Sequence, residues 1–191
     1  MQNRLNQDMA ALLPSAGLPP DAAACVAGLD TLAALDALEA GAWLAEATRL
    51  CAHALPRREA VWWACMCARH TAPATLGEPD RDAFNAAKLW VRSQSDADRR
   101  TAFAHAQKAG FATPEAWAAV GAFWSGESLA PEGQAAVTPP AHVAASAVAG
   151  AVALSAVRDA PDRREARLRQ FIASAREIGA GHSGRLPAEV A

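Results

Sequence analysis

Five side chains of the kinds that bind zinc or act as nucleophiles fall within twenty residues: Cys51, His53, Cys65, Cys67 and His70. The residue types suit a zinc site, but the spacings do not. At 3.6 residues per turn, positions two apart on a helix point about 200° away from each other. Cys65 and Cys67 therefore cannot share an ion within one regular helix, and neither can Cys51 and His53. Cys67 and His70 are three apart and could, but two ligands are too few. A nucleophilic thiol needs a neighbouring base or a helix N-terminus to lower its pKa. Cys65 and Cys67 sit in the middle and late part of a helical pattern, where the dipole acts the other way. His53, His105, His142 and His182 have no Ser or Asp partner at a recognisable spacing. The chain also lacks a Gly-rich phosphate loop, a G-x-S-x-G turn and a His-Glu-x-x-His pair. The expectation is no metal, no cofactor and no catalytic residue, with the cysteines acting as small hydrophobes.

The element that must position these residues is 53–70, HALPRREAVWWACMCARH. Val61, Trp62, Trp63, Cys65, Met66 and Cys67 leave no polar stripe, and a helix apolar all round is normally buried. Pro56 suits a first turn, and the preceding Leu55 is pushed out of the α region. Glu59 near the start and Arg69 and His70 near the end match the helix dipole. Residues 57–70 are therefore expected to form the buried central helix of an all-α domain.

The totals agree. The chain has 191 residues, 52% hydrophobic and 20% charged, enough for one domain with a sizeable core. A net charge of −2 gives no global field for nucleic acid or an acidic membrane. Four cysteines in apolar patterns fit a reduced, cytoplasmic setting. The Ala-rich run Ala141–Val157 is at the lower length limit for a span and is expected to be a buried helix. Its small residues Ala145, Ala149, Gly150 and Ala153 invite a close neighbour.

Around the central helix, the pattern predicts seven or eight helices in an orthogonal bundle or irregular hairpin stack. Residues 1–20 read as a lead-in with at most a short helix, 21–179 as the helical domain and 180–191 as a mobile tail. Expected caps are Asp21, Thr31, Asp80, Ser95 and Thr113. Gly110–Phe111 reads as a Schellman ending folded back on Ala106. Residues 125–138 form a long loop with three breakers, Gly126, Pro131 and Gly133. On the last helix, Arg163–Ile178, the side chains of Arg163, Arg164, Arg167, Arg169 and Arg176 are expected to make a basic outer face.

The polar candidates for binding are His53 and the run Arg57-Arg58-Glu59 at the head of the central helix, where Glu46 is a natural partner. A second set is Trp124 and Ser125 at an aromatic corner, with Ser128 in the loop that follows. Arg and Trp are enriched at binding hot spots.

The strings HALPRREAVWWACMCARH (53–70) and AFWSGESLAP (122–131) resemble a family of bacterial all-helical proteins of unknown function, over about residues 20 to 180. The resemblance implies an accessory or adaptor role, associated with type VI secretion gene clusters, and carries over no catalytic residue. The expected function is a non-catalytic protein-interaction module whose partner is another protein. The alternative is a small-ligand binder or enzyme with a pocket near His53, Arg57, Arg58 and Trp124.

Overall fold

A computed structural model describes residues 3–189. They form α1 (Met9–Ala16), α2 (Pro20–Cys25), α3 (Thr31–Ala40), α4 (Leu44–Ala54), α5 (Arg57–His70), α6 (Glu78–Ser93), α7 (Asp96–Lys108), α8 (Pro114–Trp124), α9 (Val143–Val157), a 3-10 turn at Pro161–Arg163, and α10 (Arg164–Gly179). No strand occurs among the described residues, and the fold is all-α.

Helices α5 and α9 form the middle of the molecule. On one side α6 packs against α5 and α8 against both, with α7 laid over α6 and α8; on the other α4 holds α1, α3 and α10. Leu55 is extended (φ −68°, ψ 139°) ahead of Pro56, so α4 and α5 diverge and touch little beyond their junction. The core face of α5 is closed: Val61, Trp63, Ala64, Cys65 and Cys67 are fully buried, and the Trp63 indole donates to the Phe171 carbonyl at 2.9 Å. Gly121 lets α8 and α9 approach, since a Cβ there would lie 3.2 Å from Val148.

Ser95 and Thr113 cap α7 and α8 as expected. Helix α7 ends in a Schellman motif, with Gly110 N–H donating to Gln107 and Phe111 N–H to Ala106. Elsewhere the caps move. Asp30, not Thr31, caps α3, and the Thr31 hydroxyl donates to the Gln7 carbonyl. Helix α2 begins after Pro19 with no side-chain cap at Asp21. Helix α6 begins one turn early at Gly77, leaving Asp80 to accept from Thr113 Oγ1 at 2.6 Å. Thr31 and Asp80, displaced from capping, each found a partner distant in sequence.

At the two ends of the chain the structure adds contacts that the sequence did not indicate, and with α1, the short helix of the lead-in, the described residues hold ten α-helices. Residues 3–20 join the core: Leu5 is fully buried and the Arg4 N–H donates to Gly179. The tail is bonded along the molecule through residue 189. Trp62 Nε1 donates to Ser183, Ser174 Oγ to Gly184, Arg69 to Leu186 and the His70 ring to Pro187, all at backbone carbonyls. Trp62, expected to be buried like Trp63, is half-buried on the outer side of α5 beneath this strap. Residues 190 and 191 lie outside the described residues. Cys25, also expected inside, is exposed at the end of α2.

Two further expectations change. Arg167 faces inward: it is 4% exposed, pairs with Glu189 at 2.6 Å and donates to the carbonyls of Ala156 and Arg158. The core stripe of α9 is Ala144, Ala147, Val148, Ala151 and Val152, while the small residues Ala145, Ala149, Gly150 and Ala153, expected to admit a close neighbour, are half-buried or exposed. In a helix apolar on every side, periodicity does not distinguish one face from another.

Candidate functional site

Cys51, Cys65 and Cys67, the candidate thiols, are fully buried. Burial drives the Cys51 and Cys65 pKa values up to about 12, and Cys67 is raised well above its ordinary value for the same reason. Such thiols are protonated at neutral pH and are neither nucleophiles nor ready ligands. No group of three or more His, Cys, Asp or Glu among the described residues is placed to hold a metal.

The polar candidates divide among separate places. His53 is half-buried on α4 and lines an open groove of about 570 Å³ bounded by α1, α4, α9 and α10. Ala149, Gly150, Ala153 and Leu154 floor it, and Val157 stands 40% exposed at its edge. Arg49, His53 and Arg164 line it and no carboxylate does. The His53 pKa is lowered, chiefly by burial and then by His142 and Arg49. Glu46 pairs with Arg49 at 2.9 Å rather than with Arg57 or Arg58.

The head of α5 is tied to three neighbours. Arg57 donates to the Ser125 carbonyl at 3.1 Å, Arg58 Nε to the Val91 carbonyl at 2.8 Å, and Glu59 accepts from Arg4 at 2.7 Å. Arg58, Glu59 and Trp62 line a second cleft, of about 320 Å³, with Arg4, Arg92 and Arg185.

At the aromatic corner Trp124 is half-buried, edge-on to Trp117 at 6.2 Å. Ser125 is buried and donates to the Gly121 carbonyl at 2.7 Å. Ser128 closes the 125–138 loop, accepting from Ala130 N–H at 3.1 Å and Val137 N–H at 3.0 Å. Arg57 and Ser125 border only a crevice of about 30 Å³. His53, Arg57, Arg58 and Trp124 thus do not line a common cavity.

Sequence reasoning missed two ion pairs, each with one buried member, that join distant parts of the chain. Glu115 is fully buried and meets Arg158 through both carboxylate oxygens, one at 2.9 Å. Arg167 with Glu189 is the other. Thr113-Pro114-Glu115 signals a helix start, but nothing in it signals that the start is covered. The pairs join residues 43 and 22 positions apart.

No single helix among the described residues is long and apolar enough to cross a membrane. The sequence profile of a family of unknown function, DUF6931, matches residues 34–179. No curated protein and no solved structure matches the chain.

Proposed function

We propose that this chain, which belongs to the family of unknown function DUF6931, is a non-catalytic protein-interaction module that receives an acidic amphipathic helix of a partner protein. The observation that carries this reading is the groove between α1, α4, α9 and α10. It is open, about 570 Å³, mostly apolar, floored by small side chains and lined by Arg49, His53 and Arg164 without a carboxylate. An amphipathic helix fits such a groove apolar face down, and small floor residues allow close approach. Acidic residues on the helix flanks would meet the arginines and steer its arrival. The protonated, buried thiols support the non-catalytic half of the reading. The setting within this proposal is the bacterial cytoplasm, as an adaptor or accessory of a larger assembly. The motif resemblance favours type VI secretion.

Filling the groove tests it. Ala149→Trp and Val157→Asp alter its floor and edge at positions that are not fully buried. A photo-crosslinker at Ala153 of the full chain should capture one protein through an acidic helical segment. Ala149→Trp should abolish capture while thermal melting stays unchanged. Capture that survives both substitutions, or crosslinks mapping to a basic or non-helical segment, overturns the reading.

A further inference from the structure

The second cleft shares no lining residue with the groove. It gathers Arg4, Arg58, Arg92 and Arg185 from four separate stretches of the chain around the half-buried Trp62. Glu59 is the one carboxylate in its lining, and it already accepts from Arg4 at 2.7 Å and lies 3.6 Å from Arg58. Four guanidiniums against one carboxylate is a strong local excess on a chain whose net charge is −2. Like charges drawn together repel, and an anion among them relieves the repulsion. The geometry is set in advance. Arg58 Nε is fixed on the Val91 carbonyl and Arg4 on Glu59. Arg92 and Arg185 have no ion-pair partner among the described residues. Guanidinium forks suit phosphate oxygens. Trp62 spends its N–H on Ser183 at 2.8 Å, so the part of the half-buried indole that lines the cleft is its apolar ring system. A volume of about 320 Å³ is that of a small-ligand site.

We propose that this cleft binds a small phosphorylated ligand of the nucleoside-monophosphate class, its phosphate among Arg4, Arg58, Arg92 and Arg185 and its planar base on Trp62. Because Arg185 and His182 belong to the C-terminal strap, the ligand also ties the strap to the head of α5.

Calorimetric titration of the full chain with inorganic phosphate, ribose 5-phosphate, adenosine and AMP decides the matter. AMP binds and quenches tryptophan fluorescence, ribose 5-phosphate binds about tenfold or more weakly for want of stacking, and adenosine does not bind. Arg92→Ala with Arg185→Ala, both exposed, lowers AMP affinity about thirtyfold or more without moving the melting temperature. Trp62→Leu removes the advantage of AMP over ribose 5-phosphate but leaves phosphate recognition. Absence of AMP binding at millimolar concentration overturns the proposal, as does binding untouched by the double arginine variant. Equal affinity for AMP and inorganic phosphate overturns it too, leaving a plain anion site.

Discussion

Neighbours on α5, Trp63 and Trp62 meet different surroundings. Trp63 is fully buried among helices and its N–H reaches a carbonyl of α10. Trp62, one position earlier, is half-buried under an extended strap and its N–H reaches Ser183. The inner face is covered by packed side chains. The outer face is covered by backbone, whose carbonyls accept from Trp62 and Arg69. A helix apolar all round is therefore a helix covered all round, and what covers each face is a separate question. The outer cover leaves room for the basic cleft; the inner one leaves none.

That contrast can be broken in several ways. Trp63→Ala should have the largest effect, about 3–5 kcal/mol of unfolding free energy in urea denaturation. A much smaller loss would mean that the inner face is not tightly packed. Arg167→Ala should cost about 1.5–3 kcal/mol, as loss of hydrogen bonds to a charged group. Its signature in hydrogen exchange is lost protection at residues such as Glu189, whose N–H donates to His70, with α5 amides retained. Uniform loss across α5 would make strap and core one cooperative unit. Trp62→Phe keeps an aromatic ring but removes the pyrrole half with its hydrogen bond to Ser183, the bond itself contributing about 0.5–1.5 kcal/mol.

The pH effects are smaller and fall in two windows. Hydrogen bonds from Arg167 hold the Glu189 carboxyl below its ordinary 4.5. The stability this gives is fully present above pH 4.5 and is lost as pH falls through the depressed folded value. Burial lowers His53 from 6.5, so the unfolded chain takes up the proton first and stability declines as pH falls below 6.5. In melting curves against pH, Glu189→Gln should remove the lower slope and His53→Gln the upper. A His53→Gln profile identical to wild type would place that histidine in ordinary water.

Much of the frame was legible because local rules sufficed. Pro56 and Leu55 marked the joint before α5, Thr113-Pro114 the start of α8, and Gly110-Phe111 the end of α7. Of the candidate site, the Arg57-Arg58-Glu59 run was visible as a polar cluster on a buried helix. Its partners Ser125, Val91 and Arg4 were not, because they lie 68, 33 and 55 positions away. His53 and Trp124 sit on α4 and α8, and the groove that His53 lines does not include Trp124; which helix faces meet is not written in local pattern.

By itself the sequence determined an all-α chain, its main helices and the closed core face of α5, since periodicity, breakers and caps act over a few residues. Only the tertiary structure decided that the tail roofs Trp62, that Arg167 and Glu115 turn inward to paired partners, and that four arginines converge on one cleft. Those outcomes depend on which distant groups meet. A buried charge is stable only where its partner arrives, and no local pattern encodes that arrival.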